Sequence, residues 1–407
     1  MTPALHRNRS FLFLAGANFI SQFGDRLTHM GLIGLVALLK PHSTLAFSTM
    51  ALFFALPVIL WGLPSGYFAD RFSRKSLLLV GDFSRLVLLA LLAFLARRNL
   101  VTLPLLYGFV FVVFLFGAMF NISRNALIPD LVARPQLLRA NAVLTLIARI
   151  STVLGTVIGG LLVQRMGAAP AFALNALTYG LSFVLVLGIR VPARSPAARP
   201  SRVFQDLQEG LHEALHNRPV RAVLITVVFL AFLAALSYTL LVPYVQQWIH
   251  LGTEGVGILG GLLAVGMFLG AGLAGSVLRD RWAPAVLALG LGLLGLGVLA
   301  VPQVTRHIVL YGGTVLAGAV AAVVAILQDT LLQQHTPGDR LGKIFGLKEI
   351  LLSAVFLLSS FGLAVLADFR GMAPTLRLAG GALLVAGVIS FPLCRGAGCG
   401  RSGRQPV

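Results

Sequence analysis

Asp25, Gln22 and His29 recur at three- and four-residue spacing inside an apolar run, and Ser21 and Thr28 join them on one side of a helix turning about 100° per residue. A carboxylate and an imidazole so placed can exchange a proton or hold a divalent cation. Counted from Phe11, Asp25 lies roughly 21 Å along a helix rising about 1.5 Å per residue, close to the middle of a bilayer. An ionisable group is costly at that depth unless it serves transport, and lipid would leave the stripe unsatisfied, so it must face protein or water. Arg149, in the fifth apolar run, reaches a similar depth and is the expected partner of Asp25. A cation that moves there would change how tightly Asp25 holds a proton, and a fixed ion pair is the structural alternative.

The elements that must position these residues are membrane helices. Hydrophobic residues make up 57% of the 407-residue chain and charged ones 11%, with a mean hydropathy of +0.91, which leaves too little polar surface to cover a soluble globule. About 20 apolar residues cross a hydrocarbon core. The pattern predicts twelve spans: 11–39, 46–69, 76–96, 101–128, 137–164 and 168–189, then 220–248, 255–278, 283–301, 307–333, 342–368 and 373–393. The fold class is therefore all-α and integral to the membrane. Most Lys and Arg fall on the side of the two termini, and the opposite loops hold only Lys40, Arg97, Arg98, Arg165, Arg306 and Arg370. The positive-inside rule then sets both termini in the cytoplasm, and a net charge of +19 needs no nucleic acid to explain it. The first run is too long for a secretory leader and is expected to remain as the first span. Cys394 and Cys399 sit in a Gly- and Arg-rich tail and form neither a zinc pattern nor a disulfide framework.

Prolines 192, 196 and 200 among arginines break the hydrophobic pattern, which divides the chain into a six-helix bundle at 1–189, a cytoplasmic linker at 190–219, a second six-helix bundle at 220–393 and a tail at 394–407. Within the linker Val203, Phe204, Leu207, Leu211 and Leu215 oppose Gln205, Asp206, Gln208, Glu209 and Glu213, as in a helix lying on a membrane surface. Asp70-Arg71 after the second span and Asp280-Arg281 after the eighth suggest duplication of a six-helix unit.

Gly66, Asp70, Arg71, Arg74 and Lys75 match Gly-x-x-x-Asp-Arg-x-x-Arg-Arg/Lys, and on these residues and its twelve spans the chain resembles the major facilitator superfamily. The resemblance implies two six-helix bundles around a central cavity, alternating access, and a conformational latch at those five residues. It also implies a monomer. The copy around Asp280 is degraded, since Ala283 and Pro284 stand where basic residues would continue. Ile20-Ser21-Gln22-Phe23-Gly24-Asp25, Ala126-Leu127-Ile128-Pro129-Asp130-Leu131-Val132, Leu138-Arg139-Ala140-Asn141 and Phe172-Ala173-Leu174-Asn175-Ala176 are similar to the bacterial branch of macrolide and siderophore exporters, and somewhat to lysophospholipid transporters. Thr156 stands in Gly155-Thr156-Val157-Ile158-Gly159-Gly160 where such exporters often carry a kinking proline.

Asn121 and Arg124 in the fourth span, Tyr238 in the seventh and Asp329 in the tenth join Gln22 and His29 as candidates for contact with a substrate. Tyr244, Gln246, Gln247 and Glu349 are further polar positions, and Asp82 with Arg85, three apart, can satisfy each other. The leading expectation is a proton-coupled exporter of small amphiphilic compounds such as drugs or siderophores, surrounded by lipid, without nucleic acid and with no cofactor beyond the proton gradient. A lysophospholipid flippase and a divalent-metal exporter using Asp25 and His29 are the alternatives. No phosphate-binding Gly-x-x-x-x-Gly-Lys-Ser/Thr loop is present and no catalytic constellation is read, so an ATP-driven pump and an enzyme are not expected.

Overall fold

The computed structural model describes residues 7–41, 43–62, 73–132, 136–191, 203–277, 282–304, 306–336 and 340–397. The first half comprises α1 (Arg9–Leu39), α2 (Thr44–Gly62), α3 (Arg74–Arg97), α4 (Leu103–Leu131), α5 (Leu137–Met166) and α6 (Ala168–Leu187). After the linker helix α7 (Val203–His216) come α8 (Arg218–Leu236), α9 (Gly252–Val277), α10 (Ala283–Ala300), α11 (His307–His335), α12 (Leu341–Arg370) and α13 (Met372–Gly396). Apart from α7, the helices answer to the twelve expected spans. Ten stretches among the described residues are long and apolar enough to cross a membrane. The 31 residues of α1 are not among them because Gln22, Asp25, Arg26 and His29 dilute its hydropathy.

Helix ends are fixed by side chains that supply the bonds a helix cannot make for itself. Asn8 accepts from the Phe11 amide, Ser73 from Ser76 and Asn217 from Val220. Gly167 and Gly371, at φ +79 and +84, each close one helix and open the next, α5 to α6 and α12 to α13, a left-handed turn for which glycine has no Cβ penalty.

The seventh span departs from the expected single helix at 220–248. Beyond Leu236 the backbone widens into π-helical turns at Ser237–Leu241 and Tyr244–Trp248. Pro243 lies between them and has no N–H to give the preceding turn, so the hydrogen-bond ladder must be re-registered there. The last helix departs in the other direction: α13 runs to Gly396, and Cys394, expected in the tail, is fully buried against Leu287, Leu331 and their neighbours.

Two compact units are built from these elements, residues 1–201 with 245–261, and residues 202–244 with 262–407. In the first, α1 packs on α5 and α6, α3 on α4 and α6, and α2 on α4. Phe11, Leu14, Leu78, Phe120, Leu127 and Val186 make its core at one end of the helices. In the second, α10 packs on α11 and α13, α8 on α11, α12 and α13, and α7 on α12.

Candidate functional site

The polar stripe of α1 is held against α6 by a close approach at Gly24, where a Cβ would meet the Asn175 side chain at 1.9 Å and that of Thr178 at 2.1 Å. Asn175 donates to Thr28 at 2.8 Å, and Thr178 to Asn175 at 2.7 Å. Asp25 is the seventeenth residue of the 31 in α1, hence central, and accepts a hydrogen bond from the Tyr179 hydroxyl. On α6, Asn175, Thr178, Tyr179 and Ser182 follow one another at three- and four-residue spacing, so one face supplies every contact.

Tyr179 links Asp25 to a buried ion pair. The Arg85 guanidinium lies 4.1 Å from the Tyr179 ring centroid and 4.6 Å from that of Phe120, and donates to Asp82 at 2.6 Å. Asp82 also accepts from Ser182 at 2.6 Å, and Arg85 bonds the Gly81 carbonyl at 3.1 Å. Asp82 is 0% and Arg85 2% exposed, and the second partner of each is what makes two charges tolerable there.

Further along the stripe Asn18, 1% exposed, accepts from Arg124 on α4 and from Gln22 at 3.4 Å. Arg124 also donates to Asn125 at 3.1 Å, while Asn121 is exposed. His29 stacks on Phe54 of α2 with centroids 5.2 Å apart, and Phe54 in turn on Phe114. No group of three or more His, Cys, Asp or Glu capable of holding a metal occurs among the described residues.

Arg149 is placed apart from Asp25. On α5 the α1-facing positions are Ser151, which donates to the Phe19 carbonyl at 3.1 Å, Gly155 and Gly159. Around α5 Arg149 stands about 160°, 120° and 80° from these three positions, so it points off that face, and it is exposed. The expected Asp25–Arg149 pair is therefore not formed in this structure. Asp25 instead acts electrostatically on Arg26, Arg85 and Arg124, and Arg149 lies in the field of Arg26. Tyr179, Ser182, Asn18 and Arg26 were missed in the sequence. Asn18 had a signal, since seven residues return a helix to within about 20° of the Asp25 direction.

Of the five motif residues, Gly66, Asp70 and Arg71 lie outside the described residues. Arg74 pairs with Asp130 at the end of α4, and Lys75 donates to the Leu187 and Ile189 carbonyls at 2.7 and 2.8 Å. Two cations thus meet the negative ends of two helices. In the second unit Asp329 pairs with Lys348, Tyr238 packs on Phe356 with centroids 6.2 Å apart, and Glu349 is exposed. Gln246 donates to Thr253 at 2.8 Å.

Ten membrane-crossing stretches among the described residues, with a connected charge network inside the first unit, are the architecture of a multi-pass membrane transporter. The sequence profile of the Major Facilitator Superfamily matches residues 14–359, and the chain belongs to that superfamily. It is 24% identical over 405 residues to the uncharacterized MFS-type transporter YfiS of Bacillus subtilis, covering 96% of this chain and 94% of that one. It is 28% identical over 299 residues to the enterobactin exporter EntS of Escherichia coli, covering 69% and 67%, and 30% identical over 212 residues to the putative bacilysin exporter BacE of Bacillus subtilis, covering 51% and 52%. Among solved structures it shares the fold of a bacterial homologue of the iron transporter ferroportin, at TM-score 0.74 and 16% identity over 97% of this chain and 100% of that one. A bacterial homologue of the lysosomal transporter Spinster superposes at TM-score 0.75, with 16% identity over 98% and 99%.

Proposed function

We propose that the chain is a secondary active exporter of small amphiphilic compounds, working by alternating access and driven by protons exchanged at Asp25. The single observation behind this reading is the position of that carboxylate: mid-helix, bonded to Tyr179 and within the field of arginines on α1, α3 and α4. Adding a proton to Asp25 weakens its hold on those arginines, which gives the ion a mechanical consequence in neighbouring helices. The exporters EntS and BacE among its relatives support outward transport. The Lys and Arg distribution supports an inner membrane of a bacterium with both termini in the cytoplasm. The protein then acts as a monomer among lipids, changes no covalent bond and uses the proton gradient in place of a cofactor.

The test is accumulation of dyes, macrolides, siderophores and lysolipids in an efflux-deficient bacterium with and without this chain, repeated after an ionophore collapses the proton gradient. Lower accumulation that returns to control with the ionophore is expected. No effect on any member of the panel would remove the export reading, and an effect insensitive to the ionophore would remove the coupling.

A further inference from the structure

We propose that Arg26 and Arg149 form the binding site for an oxyanion on the transported molecule, so that the substrate is an amphiphilic anion. This rests on the export reading above and adds the charge class of what is exported.

The argument starts from unbalanced charge. Four arginines and two carboxylates gather along the middle of the first unit, and Arg85 with Asp82 satisfy each other in its interior. Asp25 remains in the field of Arg26 and Arg124. Its one hydrogen bond to a described residue comes from Tyr179, a neutral group. Among the described residues Arg124 bonds the neutral Asn18 and Asn125. Arg26 and Arg149 make no hydrogen bond or ion pair with a described residue, yet each lies in the other's field. Two guanidiniums repelling one another near the middle of a membrane are tolerated only beside water or a counter-anion.

Helix geometry says that they do not face lipid. Thr156 and Gly160 lie seven and eleven residues beyond Arg149, within about 20° of its direction around α5. That stripe is covered by protein of the same unit: a Cβ on Gly257 would lie 2.8 Å from the Thr156 carbonyl and 2.9 Å from the Gly160 Cα. Two turns lower the cover ends, and Arg149 is exposed on the same stripe. Arg26 borders it from α1, its Cβ 2.7 Å from where a Cβ on Gly155 would stand. Guanidinium forks at this position suit a carboxylate, phenolate or phosphate oxygen, which they bind in bidentate fashion. An inside-negative membrane potential also pushes such an anion outward. Anion and proton strengthen each other's binding here, so exchange of one for the other has to be enforced by which loaded state can reorient, not by competition at the site.

The experiment uses the full chain in nanodiscs of zwitterionic lipid and three probes sharing one body: 2-naphthoate, 2-naphthamide and 2-naphthylmethylammonium. We expect the anion to bind about tenfold tighter than the amide, and Arg26→Gln and Arg149→Gln each to weaken it by about tenfold while leaving the amide within about twofold. Arg26→Lys and Arg149→Lys keep the charge and recover part of the loss, which separates a binding role from damaged folding. Asp25→Asn tightens anion binding. The proposal is overturned if the amide or the ammonium binds as well as the anion, if no naphthoate binds, or if the glutamine variants bind it unchanged. Should charge selectivity fail while cells still extrude the compound panel, the export reading survives without this inference.

Discussion

In the first unit Asn8 caps α1 and donates at 2.7 Å to the Leu131 carbonyl that ends α4; in the second, Asn217 caps α8 and donates at 2.9 Å to the His335 carbonyl that ends α11. Gly167 and Gly371 turn the chain in the same way between the last two helices of each half. The corresponding helix ends of the two halves thus use one set of devices twice. Their middles do not. The step of 209 residues from Asn8 to Asn217 carries Asp25 onto Ala234 and Arg26 onto Ala235, and the polar contact between α8 and α11 is a neutral one, Gln328 to Thr226 at 3.0 Å. Asp25 and Arg26 thus have no charged counterpart at Ala234 and Ala235, and the two middles differ in charge.

The sharpest way to break this comparison is to neutralise one carboxylate in each half. Asp25→Asn should abolish proton-driven export at normal membrane abundance. Asp329→Asn, whose partner Lys348 is held in a half-exposed pair, should keep most of it. Equal losses in a counterflow and proton-uptake assay would mean that both halves couple. A second effect should appear in stability. Arg85→Met leaves Asp82 buried with Ser182 alone and should cost about 3–5 kcal/mol, most of it regained when Asp82→Leu is added, whereas Gln328→Leu should cost about 1–3 kcal/mol. Thermal unfolding in detergent distinguishes the two, and a similar cost in both halves would remove the asymmetry.

What the sequence made legible was set by periodicity. The spans, the polar stripe around Asp25 and the linker helix α7 follow from the spacing of apolar and polar residues along the chain. Partners across helices are not periodic in that sense. Arg149 was matched to Asp25 by depth alone, but depth fixes only height along a helix, and its angle around α5 turned it away. Tyr179 was missed: it belongs to a polar face on α6, but nothing local says that this face meets α1, which follows from Gly24 permitting the approach. The widened turns of the seventh span were not anticipated, and Pro243 between them fixes where a helix is disturbed but not how it recovers.

A smaller effect should appear in both halves, somewhat larger at Asn217, which also bonds Glu213. Asn8→Ala and Asn217→Ala each remove an N-cap and one bond to a neighbouring helix end, and each should lower stability by about 1–2 kcal/mol. A loss confined to one half would show that the two sets of helix ends differ as the middles do.

Asn217 has one feature Asn8 lacks, because it also donates to Glu213 at 2.9 Å, and Glu213 pairs with Arg340 at the start of α12. The hydrogen bond from Asn217, with Arg340 adding to it, holds the Glu213 carboxyl below its ordinary value. A carboxyl depressed in the folded state contributes stability that is present above the ordinary value of about 4.3 and is lost as pH falls through the lower folded value. The linker should therefore stay docked on the second unit at neutral pH and loosen only in acid below about pH 4. The pair is partly exposed, with 45% of the Arg340 side chain accessible, so its contribution is at most about 1 kcal/mol. Hydrogen exchange across residues 203–217 checks this: Glu213→Gln should show at pH 7 the weakened protection that the unaltered chain shows only in acid. Unchanged protection in the variant would mean that α7 is held by apolar packing at Ala214 and the close contact of Gly210 with Lys343 instead.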